Sequence, residues 1–118
     1  MNYFKKKEHE CKCGCGLYNM SDNHMKMLNI ARDYAEIPFN INSGSRCRKY
    51  NVNVRGMHNS EHLIGKASDI QAANSYQRFR VLEALIFAGF KRIGISEDFI
   101  HAGSSIIHPK EVLWLYNV

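Results

Sequence analysis

Apolar positions recur at helical spacing in two stretches of this 118-residue chain and alternate at strand spacing in several shorter ones. His24, Met27, Leu28, Ala31, Tyr34 and Ala35 fall on one face of a helix predicted over 22–37, since side chains three and four apart share a helix face. Ser21 is placed to cap that helix by accepting from an early amide, and Pro38 ends it. Phe39-Asn40-Ile41-Asn42 then alternates like a half-buried strand, broken by Ser43-Gly44-Ser45. Residues 46–62 carry little periodicity and are predicted to form a long functional loop.

The second half reads as strands around one helix. Residues 67–71 form a short strand candidate. Ser75 is expected to cap a helix over 76–88, with Phe79, Leu82, Leu85 and Ile86 as its buried stripe and Gly89 at its C-terminal cap. Arg92-Ile93-Gly94-Ile95-Ser96 and Phe99-Ile100-His101-Ala102, separated by Glu97-Asp98, read as a hairpin. A last strand is predicted through Val112-Leu113-Trp114-Leu115-Tyr116. The pattern predicts one α+β domain over 1–118, a small, mostly antiparallel sheet with helices on one face.

Composition narrows the class. A hydrophobic share of 45% and two prolines suit a folded chain, not a disordered one. Sixteen Lys and Arg against eleven Asp and Glu give a net charge of +5, which favours anionic partners. Nothing approaches the ~18 apolar residues of a membrane span, and the N-terminus lacks a secretory core, so synthesis in the cytoplasm as a monomer is expected. Cys11, Cys13, Cys15 and Cys47 are then expected to be reduced. The C-x-C-x-C run departs from the usual C-x2-C pairs of zinc modules. It reads as a glycine-containing turn with buried thiols, or as a soft-metal site with His9 or Cys47.

The chemistry concentrates in Ser60-Glu61-His62-Leu63-Ile64-Gly65-Lys66-Ala67-Ser68-Asp69 and Asp98-Phe99-Ile100-His101. His62, Asp69 and His101 make a plausible ligand set for Zn2+, because a catalytic zinc takes three protein ligands and keeps a position open. An aspartate between Ala67 and Ile70 is costly unless paired or bound to a metal. Asp98 stands where it could accept a proton from water, with Glu97 as the rival base. Side chains three apart on a regular strand face opposite ways, so this requires Asp98 to sit in the turn. Arg46, after Ser43-Gly44-Ser45, could be aimed at an anionic group, with Arg48 and Arg55 as substitutes. His58 reads as a surface or substrate-loop residue, His9 as exposed, His24 as part of a helix face and His108 as part of an extended turn.

These motifs, with Cys11-Lys12-Cys13-Gly14-Cys15-Gly16 and Ser43-Gly44-Ser45-Arg46, resemble the zinc D-alanyl-D-alanine carboxypeptidases and L-alanyl-D-glutamate endopeptidases that act on bacterial cell-wall peptides. Phage endolysins belong to that group, whose fold looks like that of the Hedgehog signalling domain. The resemblance implies that His62, Asp69 and His101 bind zinc, that Asp98 is the catalytic base and that Arg46 contacts substrate or intermediate. It further implies a peptidoglycan peptide substrate, no nucleic acid, and a phage or prophage lysin reaching the wall through a separate pore. Two departures stand out. Many relatives have an aromatic residue where this chain has Ser45, and many read His-x-Asp where this chain has His101-Ala102-Gly103. The missing aspartate is expected to loosen the support of the last ligand. The rival readings are a non-catalytic zinc-binding module of the same fold, a nucleic-acid binder using Lys5 to Lys7 and the Arg46, Arg48, Lys49, Arg55 cluster, and a cysteine-based redox or metal-storage protein.

Overall fold

A computed structural model describes residues 2–116, which form three helices, a five-stranded sheet and two turns of 3-10 helix. Helix α1 (Asp22–Ala35) begins as expected, with the Ser21 hydroxyl accepting from the amide of His24. It ends two residues early, at a left-handed Glu36 with φ 57°. Ile37 precedes Pro38, whose ring disfavours helical geometry in the residue before it.

Strand β1 (Ile41–Ser43) starts later than the alternation suggests, because pairing with β2 (Ala67–Gln71) draws Ser43 into the sheet opposite Asp69. The stretch expected to be one long loop contains helix α2 (Arg48–Asn53), capped by the Cys47 sulfur, and a 3-10 turn over Glu61–Ile64, capped by Ser60. Both are too short for a hydrophobic period to register.

Helix α3 (Ser75–Ala88) is capped by Asn74, whose side chain accepts from the Gln77 amide. Ser75, expected in that role, is the first helical residue and accepts from Arg78 instead. Its buried stripe is Val81, Ala84 and Leu85, while Phe79 and Ile86 are 62% and 59% exposed. The buried positions of the two long helices include small residues, Ala31 and Ala35 on α1 and Ala84 on α3, beside Leu28, Val81 and Leu85, while Phe79 and Ile86 stay at the rim. Tyr34, expected inside, stacks on Phe87 at that rim with centroids 4.1 Å apart.

Strands β3 (Arg92–Ile95), β4 (Phe99–Gly103) and β5 (Val112–Leu115) complete a sheet of order β1-β2-β4-β3-β5. Every pairing is antiparallel except β3 with β5, which is parallel. The mostly antiparallel α+β fold is therefore the one expected, with Ile70, Ile93, Ile100 and Ala102 packing against Leu28, Ala31, Val81 and Leu85. Side chains alternate across a sheet, so the residues between these face away from the helices. Among the described residues no helix is long and apolar enough to cross a membrane.

Two histidines outside the proposed ligand set are buried within the fold. His9, expected at the surface, is fully buried, and its Nε2 lies 2.8 Å from the Ser68 hydroxyl. His24 Nε2 lies 2.9 Å from the same hydroxyl, and its Nδ1 meets Ser104 at 2.6 Å. Burial pushes His9 down to about 4 and His24 down to about 3, which keeps both neutral.

Gly65 closes the turn before β2 with φ 70°, and its carbonyl accepts from the Ser21 amide at 2.9 Å. A Cβ at this position would stand 1.9 Å from the carbonyl oxygen of Asn19. Gly65→Ala combines left-handed strain with a backbone collision and is expected to cost about 2 kcal/mol or more. Thermal melting against the parent chain checks this, and an unchanged midpoint contradicts the close approach.

Candidate metal centre

The sheet register lines up one row across all five strands. Ser43 pairs with Asp69, Asp69 with His101, His101 with Gly94, and Gly94 with Trp114. Asp69 and His101 are thereby placed side by side on the face turned away from the helices. Gly94 leaves a gap in that row which the indole fills: a Cβ there would lie 2.4 Å from Trp114 Nε1, and the indole sits 5.3 Å from the His101 ring.

His62 reaches the row from the 3-10 turn before β2. Its Nδ1 lies 2.7 Å from the carbonyl of Gly44. A carbonyl only accepts, so Nδ1 carries the hydrogen, and in the neutral ring Nε2 presents a lone pair. That Nε2 is buried and makes no hydrogen bond, although Asp69 Oδ2 lies 3.2 Å away. Proximity and the lack of a bond are consistent, because an acceptor nitrogen has no hydrogen to offer a carboxylate. Two acceptors facing each other out of water are unfavourable unless a cation joins them.

His101 is held from both ends. Its Nδ1 lies 2.9 Å from Asp69 Oδ1 and its Nε2 lies 2.7 Å from Glu61 Oε1. Burial alone would lower its pKa, but the hydrogen bonds and charges of Asp69 and Glu61 outweigh it and raise the value to about 9. Burial pushes Asp69 up, yet the hydrogen bond and charge of His101 hold it well below the usual carboxylate range. One ligand atom each from His62, Asp69 and His101 falls within 4.8 Å of the others, so the donor set fits a divalent cation in spacing as well as in chemistry.

Arg46 joins this group. Its guanidinium donates to Ser43 Oγ at 3.0 Å, to Asn51 Oδ1 at 3.1 Å and to Asp69 Oδ2 at 3.3 Å. Asn51 lies on α2, and Gly56 leaves room for its side chain, since a Cβ there would be 2.0 Å from Asn51 Oδ1. The structure thus brings His62, Asp69, His101 and Arg46 together. It leaves Asp98 and Glu97 at the exposed hairpin tip between β3 and β4, and Arg48, Arg55 and His58 on the surface. His108 is bridged between Ser105 Oγ and the carbonyl of Asn59.

Glu61 is the principal residue that sequence reasoning passed over. Beyond His101, its buried carboxylate accepts from Arg92 Nε at 3.0 Å and from the Ser105 amide at 3.2 Å. These donors outweigh burial and lower its pKa. It occupies the space beside Gly103, where a Cβ would lie 2.0 Å from Glu61 Oε1. The aspartate expected from the resemblance two residues after His101 is absent here, where Gly103 stands, and Glu61 delivers a carboxylate to His101 from another direction. The signal lay in two places that had to be combined, an acid beside His62 and a glycine two residues after His101.

Two measurements follow from this geometry. Gly103→Ala is expected to cost about 1–3 kcal/mol in stability, and most of that cost should vanish in a Glu61→Ala background. Denaturant titration of the four proteins reads the coupling, and strictly additive costs contradict the shared space. In chelator, the imidazolium of His101 has a folded value above its ordinary one. Its stabilisation is therefore complete below about pH 6.5 and lost as pH rises through about 9. Asp69 and Glu61 are lowered, so their contributions are lost only on acidification. Stability under chelation should fall between pH 6.5 and 9, and a flat urea-midpoint profile over that range would refute the two-carboxylate clamp.

Comparison with known proteins fits this site. No curated protein matches the chain significantly. A family model described as Peptidase M15 matches residues 2–103, from the N-terminal segment through the end of β4. That span includes Arg46, Glu61, His62, Asp69 and His101 and covers most of the chain. The fold, the face that carries the histidines and the matched span agree, and the chain belongs to the Peptidase M15 family.

Proposed function

We propose that the chain is a zinc peptidase that hydrolyses peptide bonds in bacterial peptidoglycan stem peptides, of the D-Ala-D-Ala carboxypeptidase or L-Ala-D-Glu endopeptidase type. The observation that carries the reading is the buried, unpartnered Nε2 of His62 facing Asp69 and His101. Membership of a peptidase family supplies the reaction class.

His62 Nε2, the Asp69 carboxylate and His101 Nδ1 would hold the ion. When bound there, zinc supplies Lewis acidity, polarising a carbonyl and lowering the pKa of water. The remaining ring nitrogens are already committed, His62 Nδ1 to Gly44 and His101 Nε2 to Glu61, which fixes both rings in orientation and tautomer. Arg46 keeps a positive charge against Asp69 and is the group for a substrate carboxylate or a developing oxyanion.

Asp98 is the proton acceptor in this proposal. Glu61 has its oxygens occupied by three donors, whereas Asp98 is exposed and makes no ion pair among the described residues. It is three residues from His101, at most about 10 Å between Cα atoms. The net charge of +5 would hold the protein on anionic wall polymer, which suits a phage or prophage lysin delivered by a separate pore.

The test is release of new amino groups from purified peptidoglycan by zinc-loaded protein. His101→Ala should abolish release, Asp98→Asn should lower it about 10²–10⁴-fold, and Arg46→Ala about 10²–10³-fold. Chelation should stop the reaction and added zinc should restore it. Absence of release from protein holding zinc at His62, Asp69 and His101 would overturn the enzyme reading and leave a wall-binding module.

A further inference from the structure

Away from the peptidase cluster, a second group of ligand atoms converges where the N-terminal segment meets the start of α2. Cys11, Cys13, Cys15 and Cys47 place their sulfurs within 4.8 Å of one another. We propose that these four thiols form a second metal site, a tetrathiolate for zinc or another thiophilic divalent cation, with a structural role. The proposal does not rest on the chain being a peptidase.

Three observations support it. The first is distance. Cys11 and Cys13 sulfurs are 3.5 Å apart, and Cys13 and Cys47 are 3.7 Å apart. A tetrahedron with metal–sulfur bonds of about 2.3 Å has edges of roughly 3.8 Å, whereas a disulfide needs about 2.05 Å. All four cysteines are free.

The second is how the chain gathers them. Three come from a single turn in which Gly14, with φ 90°, lets the backbone wrap between Cys13 and Cys15. That turn is closed by the Gly14 amide on the Cys11 carbonyl at 3.2 Å and by the Cys11 amide on Leu17 at 2.9 Å. The fourth arrives from the loop after β1, thirty-six residues after Cys11. A stack of alternate thiols would be wasteful as core, since Cys13 and Cys15 are exposed and bury little.

The third is what points at the sulfurs. The Cys47 amide donates to Cys11 Sγ at 3.4 Å, and the Tyr50 amide donates to Cys47 Sγ at 3.4 Å. Amide donors aimed at sulfur favour the thiolate, the form that binds metal. On binding, the thiols give up their protons to solvent. The ion would fasten the N-terminal turn to the residue after Arg46 and so anchor the loop that carries the guanidinium.

The experiment is metal counting with cobalt(II) as the spectroscopic probe, under reducing conditions. Cobalt-loaded parent chain should show a near-ultraviolet sulfur-to-metal absorption and two ions per chain. Cys13→Ser with Cys15→Ser should lose that absorption and retain one ion, while His101→Ala should keep the absorption. The parent spectrum alone decides the matter if the cysteine variants fail to fold. Absence of the sulfur-to-metal band in folded, cobalt-loaded parent overturns the proposal. So do four freely reactive thiols in the zinc-loaded protein, or a mass two daltons low from a disulfide formed in preference to metal binding.

Discussion

The register between β2 and β4 is the constraint on which the site depends. Asp69 stands opposite His101, and both point away from the helices. Sliding either strand by one residue would turn its own side chain, Asp69 or His101, into the apolar layer, because side chains alternate face along a strand. The register is fixed from the other side of the sheet. Ile70 opposes Ile100 and Ser68 opposes Ala102, all four fully buried. Ser68 is tied by its hydroxyl to both His9 and His24, so a polar device within the helix-side layer locks the strand that presents Asp69 to the opposite face. The geometry of the candidate metal site is thus held by packing that never touches it.

Burying two carboxylates close together demands compensation. Asp69 and Glu61 are met by two guanidiniums, Arg46 and Arg92, and by the imidazolium of His101 between them. One positive charge is in excess. Exchange of the His101 proton for a divalent cation would raise that excess, and a site with surplus positive charge suits a substrate that carries a carboxylate. The same bookkeeping explains why Glu61 and Gly103 belong together. A carboxylate on the far end of His101 is needed for balance, and it can come from the turn only if residue 103 has no side chain in the way.

Much of this was legible in the sequence, and what was missed has physical reasons. Strand β2 and both long helices were readable because each presents several residues of one period; Asp69 and His101 stood out as polar residues in apolar stretches, and His62 entered through the motif it shares with Asp69. The buried face of α3 was misjudged because hydrophobicity ranks phenylalanine above alanine, whereas the fold buries Ala84 and leaves Phe79 exposed. His9 was placed outside because its neighbours Lys7, Glu8 and Glu10 are charged; its burial comes from Ser68, fifty-nine residues away. Glu61 was passed over for the same kind of reason, as its partners lie on β4, β3 and the loop after β4. Long-range partners leave no local period.

Arg46 shows how these levels meet in one side chain. Its three acceptors come from β1, α2 and β2, and its own amide donates to the carbonyl of His62 at 3.3 Å. A guanidinium fixed at three points loses little freedom when it meets a substrate anion, which is the advantage of a planar, preorganised donor. That advantage depends on α2 staying in place, and α2 has only six residues, too few to be stable by its own hydrogen bonds. Its first turn is instead capped by Cys47, which lies against Cys11 and Cys13. The position of Arg46 is therefore set at both ends, by the sheet row that holds Asp69 and by the cysteine turn that holds the start of α2.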